Sequence, residues 1–367
     1  MGNRNSSTKD EQAEDDQYKD DTYATEKDAR QKIKYKSMTQ ILAKRFWAID
    51  NGIFLNFKGK EMILYTCRIS RNLYLSFCTE KWENKQSIIL PENGAYSNNN
   101  FWFYPRRLFQ TKLVYSEEHG LLFVGIRDKD GIIDLSCYRI KSNGFKKAMT
   151  YGIIDNEPNI NDFDIIQKES LLVIPNLNKL ELINIFSKKK KEIFSVNSPI
   201  SWVKVNEEKK SILTVGKQIK LFKYERSGSN EFKLYEMSAV SFFDNTSSIL
   251  LGNWNEYFAV AMQNAFEGRD ISYFKIKEDY TVEKIGQLDK VSPYFKDIAT
   301  LPKQNTVIFY WNRVSKYASI ETKIDQISQA AGMSVDLYGH PFIIFSNKDY
   351  SKLIVTYNTG GFWELIL

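Results

Sequence analysis

Leu135-Ser-Cys-Tyr-Arg-Ile140 returns three times in altered form, as Leu180-Glu-Leu-Ile-Asn-Ile185, Ile219-Lys-Leu-Phe-Lys-Tyr224 and Ile271-Ser-Tyr-Phe-Lys-Ile276. Each segment reads apolar, polar, apolar, apolar, polar, apolar, with Arg139, Asn184, Lys223 or Lys275 in fifth place. Segments this rich in β-branched and aromatic side chains read as strands. Their return every forty to fifty residues or so means one unit of a few strands, stacked many times.

A second marker counts the units. An apolar strand precedes each recurring segment, and such strands begin near Met62, Leu121, Leu171, Ile212, Phe258, Val307 and Leu353. Seven markers predict an all-β, seven-bladed β-propeller, the leading solution for β units of this length. The rivals are a pair of β-sandwiches or a different repeat count. Turn chemistry falls where hairpins need it, at Asp130-Gly131, Asn143-Gly144, Ser227-Gly-Ser229 and Thr359-Gly-Gly361.

The two ends of the repeat are complementary. The last unit holds Leu353–Tyr357 and Phe362–Leu367 and is one strand short, while Met38-Thr-Gln-Ile-Leu-Ala43 is a spare strand ahead of the first unit. Pairing them closes the ring and removes two open sheet edges.

This overlapping closure resembles that of WD-repeat propellers, over residues 38–367. The Gly-His and Trp-Asp dipeptides of that family are absent; Trp254 and Trp311 are each followed by Asn. Two histidines, His119 and His340, are too few for an Asp-His-Ser/Thr-Trp network in every blade. The resemblance implies a divergent, WD-like propeller.

Composition agrees with one large β domain. The chain has 367 residues, 43% of them hydrophobic, with 21 Tyr and 24 Phe against 8 Pro. Its net charge of +6 is a mild excess that does not demand nucleic acid, and no nucleic-acid-binding motif accompanies it. Cys67, Cys78 and Cys137 are an odd number, which argues against a disulfide framework and for a reducing cytoplasm, although Cys67 and Cys78 fall on neighbouring strands of one hairpin. No apolar run is long enough for a membrane span or a secretory signal.

The chain divides near residue 37. Residues 1–37 form a tail with little to bury and are expected to be disordered. Gly2–Glu26 carries three basic residues against eight acidic ones, and Lys27–Lys36 then carries five basic residues against Asp28. Met1-Gly-Asn-Arg-Asn-Ser6 fits the N-myristoylation pattern, with Gly2 as acceptor and Ser6 supporting it. One myristoyl chain binds membranes only marginally, so a second signal is needed. The basic run Lys27, Arg30, Lys32, Lys34 and Lys36 is the candidate, worth up to about 1 kcal/mol per charge at an anionic leaflet. It reads equally well as a solvated leader into the first strand.

Within the propeller, the first marker spacing is the longest. The excess lies at Asn93–Asn100, followed by Phe101-Trp-Phe-Tyr-Pro-Arg-Arg107. Trp102, Tyr104, Arg106 and Arg107 have the composition of a protein-interface hot spot. Phe101 and Phe103 read as core residues of a strand. The Arg pair also resembles the Phe/Leu-Arg-Arg-Gly motif of phosphoinositide-binding propellers, with Leu108 in place of Gly. Lys188–Lys191 reads as a solvated hairpin turn.

No catalytic constellation, metal-ligand spacing or cofactor loop is present. Asp134, Asp162, Asp164, Asp270 and Asp297 are carboxylates that a propeller channel would gather, but their spacing matches turn and cap residues equally well. We therefore expect no catalytic residue, metal or cofactor. The reading is a cytoplasmic protein-interaction scaffold, tethered reversibly to a membrane face through Gly2. The alternatives are a peripheral protein whose propeller binds anionic lipid head groups, and a channel-sited hydrolase.

Overall fold

The computed structural model describes residues 37–42, 48–69, 72–79, 84–89, 111–127, 132–141, 144–151, 162–227, 231–241, 248–251, 256–264, 268–291, 297–301, 306–311, 314–321, 326–329, 341–347, 351–357 and 362–366. Among these residues no helix is long and apolar enough to cross a membrane.

One strand, β1 (Ser37–Leu42), stands apart, and the chain then lays down strands in groups. The first sheet is β2 (Ala48–Phe57), β3 (Lys60–Ile69), β4 (Asn72–Thr79) and β5 (Asn84–Ile89). The second is β6 (Thr111–Ser116), β7 (Leu121–Arg127), β8 (Ile132–Lys141) and β9 (Gly144–Tyr151). The third is β10 (Asp164–Ile166), β11 (Leu171–Asn176), β12 (Lys179–Asn184) and β13 (Lys190–Ser195). The fourth is β14 (Ile200–Asn206), β15 (Ser211–Gly216), β16 (Gln218–Ser227) and β17 (Glu231–Ser241). The fifth is β18 (Ser248–Leu251), β19 (Tyr257–Asn264), β20 (Gly268–Ile276) and β21 (Val282–Val291). The sixth is β22 (Asp297–Leu301), β23 (Thr306–Trp311), β24 (Val314–Glu321) and β25 (Gln326–Gln329). The seventh takes β26 (Pro341–Ser346), β27 (Lys352–Tyr357) and β28 (Phe362–Ile366), with β1 as its fourth strand.

The first strands neighbour one another in turn from β2 to β18. Strand β22 lies beside β19 and β26, and β26 returns to β2. The result is an all-β propeller. Strand β1 runs antiparallel to β28, with Ser37 opposite Ile366 and Thr39 opposite Glu364. The end of the chain and its first described strand thus share one sheet; of the expected closing segment, Ala43 lies outside the described residues.

Each described core lies between two sheets. Leu55, Met62, Leu64 and Phe77 of the first sheet pack on Leu122, Val124, Ile126 and Tyr138 of the second. On the far side of the second sheet, Leu121, Phe123, Leu135 and Cys137 pack on Leu172, Ile174 and Ile183 of the third. The pattern repeats between the third and fourth sheets and between the fourth and fifth. A second strand such as β7 is therefore buried on both faces, and its sequence reads as one apolar run rather than an alternation. The six-residue segment sits on the third strand of its sheet. Its first and third residues face one neighbour and its fourth and sixth the other, as Leu135 and Cys137 against Tyr138 and Ile140 show.

Antiparallel pairing sorts the connections. Those joining strands one to two and three to four of a sheet emerge on one face, here the first face; those joining two to three, and one sheet to the next, emerge on the second face. On the first face, Lys58 (φ 53°) and Gly59 (φ 76°) close the two-residue turn between β2 and β3. Two consecutive left-handed residues are what that hairpin turn requires. The longer turns at 117–120, 167–170 and 207–210 each end on one left-handed residue, Gly120, Ser170 and Lys210.

Candidate functional site

Two carboxylates, one just before the inner strand β10 and one on it, are engaged by neighbouring sheets. Asp162 is buried, just before β10. Its Oδ2 accepts the Val203 N–H of the fourth sheet at 3.1 Å, and its Oδ1 lies 3.0 Å from Lys112 Nζ of the second sheet. Asp164 accepts the Val205 N–H at 2.9 Å and its own neighbour Ile165 N–H at 3.0 Å, with Lys204 Nζ at 3.5 Å. Nearby, Asn51 Nδ2 donates to the Thr111 carbonyl at 2.8 Å, and the Thr66 and Thr111 hydroxyls meet at 2.7 Å. These bonds tie the first sheet to the second, and the third sheet with the residues leading into it to both the second and the fourth. Buried polar groups are held by partners because an unpaired one costs about 1–3 kcal/mol.

Asp134, Asp270 and Asp297 complete the set of carboxylates that a channel could gather. Asp134 lies on the third strand β8, where it accepts the Ser136 hydroxyl at 2.9 Å. Asp270 lies on the third strand β20, and Asp297 opens the inner strand β22. Among the described residues no three His, Cys, Asp or Glu side chains are grouped so that they could hold a metal ion.

The turns of the first face form a second set of ties. Gln167 Oε1 accepts Ser116 Oγ at 3.2 Å and Glu118 N–H at 3.3 Å. His119 Nε2 lies 3.0 Å from the Gln167 carbonyl and 3.1 Å from Ser170 Oγ. A carbonyl only accepts, so Nε2 carries the proton. The Gln167 N–H in turn donates to Glu207 Oε1 of the fourth sheet. Burial raises the Glu207 carboxyl above the ordinary carboxylate range, against the lowering effect of the Gln167 and Lys168 N–H groups. Lys209 meets Glu256 at 3.3 Å, and Glu61 holds both Lys352 and Asn347.

Between the first two sheets this face opens into a cleft of about 460 Å³, lined by Phe57, Lys58, His119, Gly120, Arg139, Ile140 and Lys141. Its walls come from the β2–β3 turn, the β6–β7 turn and the end of β8. Phe57 and Ile140 supply apolar surface; Lys58, Arg139 and Lys141 supply positive charge. Lys58 Nζ lies 5.4 Å from the centre of the Phe57 ring. Among the described residues, none of the three cations has a carboxylate partner. On the same turn, Glu118 lies towards Glu207, whose carboxyl its charge helps to raise.

Comparison of the repeats makes Arg139 distinctive. At the matching fifth place, Asn184 Oδ1 caps its own turn by accepting Phe186 and Ser187 N–H. Lys223 pairs with Glu225 at 2.9 Å, and Lys275 lies over the Tyr257 ring at 5.4 Å. Arg139 instead faces the cleft. The sequence held this signal, because the fifth place was visible; what it lacked was the neighbouring turn that brings Lys58 and His119 alongside.

The site residues expected from sequence fall elsewhere. Gly2, Ser6, Lys27, Arg30, Lys32, Lys34 and Lys36 lie outside the described residues, as do Trp102, Tyr104, Arg106 and Arg107. The last four belong to the connection between β5 and β6, whose ends are on the second face. The run at Lys188–Lys191 is a turn only in its first half, since Lys190 opens β13. Lys188 Nζ donates to the Thr150 carbonyl of the second sheet at 2.7 Å, a structural tie. The β3–β4 register sets Cys67 opposite Tyr74 and Cys78 opposite Ile63. The two cysteines are thus four positions apart along the ladder, roughly 13 Å, well beyond the ~7 Å limit for a disulfide. Cys67 and Cys137 are buried and in no disulfide, and burial holds Cys137 up at about 11 despite nearby Arg139.

The chain matches no family model and no curated protein. Among solved structures it is similar to a protein from Lactobacillus plantarum, with a TM-score of 0.53 and 9% identity over 84% of this chain and 89% of that one. It is also similar to a candidate 6-phosphogluconolactonase from Bacteroides fragilis, with a TM-score of 0.52 and 13% identity over 78% and 83% of the two chains. Likeness at this identity establishes the propeller fold alone.

Proposed function

We propose that the chain is a seven-bladed, WD-like propeller that acts as a protein-interaction scaffold in the cytoplasm, tethered reversibly to a membrane face through an acylated Gly2. The observation that favours binding over chemistry is the use of Asp162 and Asp164. Both of these acids, at the start of the third sheet, are taken up by amides and lysines of adjacent sheets, so they serve the frame rather than a substrate. A propeller is a mounting frame, and its function lies in the sites it presents. The activity named for the Bacteroides fragilis neighbour is not carried over, because a shared fold hosts many unrelated functions.

Two measurements test this reading. Mass analysis of the amino-terminal peptide of the native protein should show an acyl group on Gly2, and Gly2→Ala should leave the membrane fraction. Quantitative affinity purification should lose a defined set of proteins from a Trp102→Ala, Arg106→Ala, Arg107→Ala variant. An unmodified Gly2 removes the tether. An unchanged set of proteins removes that surface. Binding of anionic liposomes through Arg106 and Arg107 would favour lipid recognition by the propeller instead.

A further inference from the structure

We propose that the basic cleft between the first two sheets is the docking site of the chain's own acidic segment, Asp10–Asp21. Charge complementarity is the first support. The segment holds Asp10, Glu11, Glu14, Asp15, Asp16, Asp20 and Asp21 against Lys19 alone. The cleft offers Lys58, Arg139 and Lys141, none of which has a carboxylate partner among the described residues. The amine and guanidinium donors suit carboxylates, and an Arg fork engages one in a bidentate bond. The tail's two aromatic residues in this region, Tyr18 and Tyr23, match the apolar lining of Phe57 and Ile140.

The path of the chain is the second support. Ser37 pairs with Ile366, the last residue of β28, so β1 starts on the first face, the face that holds the cleft. Strand β1 belongs to the seventh sheet, and β2 of the first sheet lies beside β26 of the seventh. One wall of the cleft is the β2–β3 turn. The residues between Asp21 and Ser37 span up to about 50 Å when extended, whereas neighbouring sheets stack only about 10 Å apart. A link of this length gives an effective concentration near the millimolar range. An external acidic ligand thus meets an occupied cleft and must displace the segment. The inference does not depend on acylation of Gly2 or on the scaffold reading.

Zero-length carbodiimide coupling of the full-length protein, followed by peptide mapping, tests it. Within the monomer, Lys58 or Lys141 should be joined to carboxylates of Asp10–Asp21. Because the contact is exposed and ionic, about 1 M salt should reduce the yield severalfold, and Arg139→Glu should do the same. A labelled peptide of residues 9–22 provides the second arm. It should bind a full-length Asp15→Asn, Asp16→Asn, Asp20→Asn, Asp21→Asn variant at least tenfold or so more tightly than the native chain, whose cleft is filled. Coupling spread evenly to distant lysines such as Lys233 and Lys284 would overturn the proposal. So would coupling only between two copies, or equal peptide binding by the two chains.

Discussion

Asp162, just ahead of the third sheet, accepts the backbone N–H of Val203 on the fourth at 3.1 Å, through a carboxylate that is 1% exposed. A side chain from one blade thus completes a backbone bond in the next. Asp162→Ala should cost about 2–3 kcal/mol, because it leaves the Val203 N–H without its acceptor and Lys112 without its partner. Asp162→Asn keeps one acceptor oxygen and should recover at least half of that loss. Urea unfolding midpoints of the two variants provide the comparison. An alanine variant as stable as the native chain would show that water replaces the carboxylate.

Gly216 ends β15 where the chain passes close to Pro199. A Cβ placed there would stand 1.9 Å from the Pro199 carbonyl oxygen and 2.9 Å from its carbon. Both are backbone atoms, so no side chain can swing away to make room. Gly216→Ala should therefore destabilise by about 2 kcal/mol or more through backbone displacement. Gly125 has a gentler constraint, since its Cβ would meet the Phe163 ring at 2.7 Å, and that ring can tilt. Thermal unfolding should rank Gly216→Ala well below Gly125→Ala; the reverse order would contradict this account.

These contacts explain which parts of the fold were legible in the sequence. Leu121, Leu171 and Ile212 mark second strands because burial on both faces leaves an uninterrupted apolar signature. The six-residue segment marks third strands, whose apolar pairs face opposite neighbours. Outer strands were harder to place. In β17, Tyr235, Glu236 and Met237 are all exposed, so little hydrophobic periodicity survives. The cleft was hidden for a different reason. Lys58 and Arg139 belong to different repeats, and only face-to-face packing of their sheets brings them together. Sequence spacing has no access to that juxtaposition when each repeat is read separately.

The closing strand carries its own prediction. Along β1, opposite β28, alternate residues donate to the ladder, so one of any two adjacent residues must do so. Proline at both Met38 and Thr39 therefore removes at least one ladder donor whatever the register detail. The cost should be about 1–3 kcal/mol, with self-association as β28 becomes an open edge. Light scattering together with a urea titration reads both effects. A double variant that remains monomeric and fully stable would show that β1 is dispensable to the seventh sheet.

Glu207 gives the stability a pH dependence of defined sign. Burial is the largest influence and raises its carboxyl; the charge of Glu118 adds to this, while the Gln167 and Lys168 N–H groups oppose it. Between the ordinary carboxylate value and the raised native one, the folded chain holds a proton that the unfolded chain has released. Stability must then fall as pH rises through that window. Glu207→Gln keeps an oxygen for the Gln167 N–H but cannot ionise. Its unfolding free energy relative to native should therefore improve as pH rises from the ordinary carboxylate range toward neutrality. Glu118→Gln should narrow the same window, because it removes one of the charges that raise Glu207. Parallel stability curves for native and Glu207→Gln across that range would show that the folded and unfolded carboxyls titrate alike.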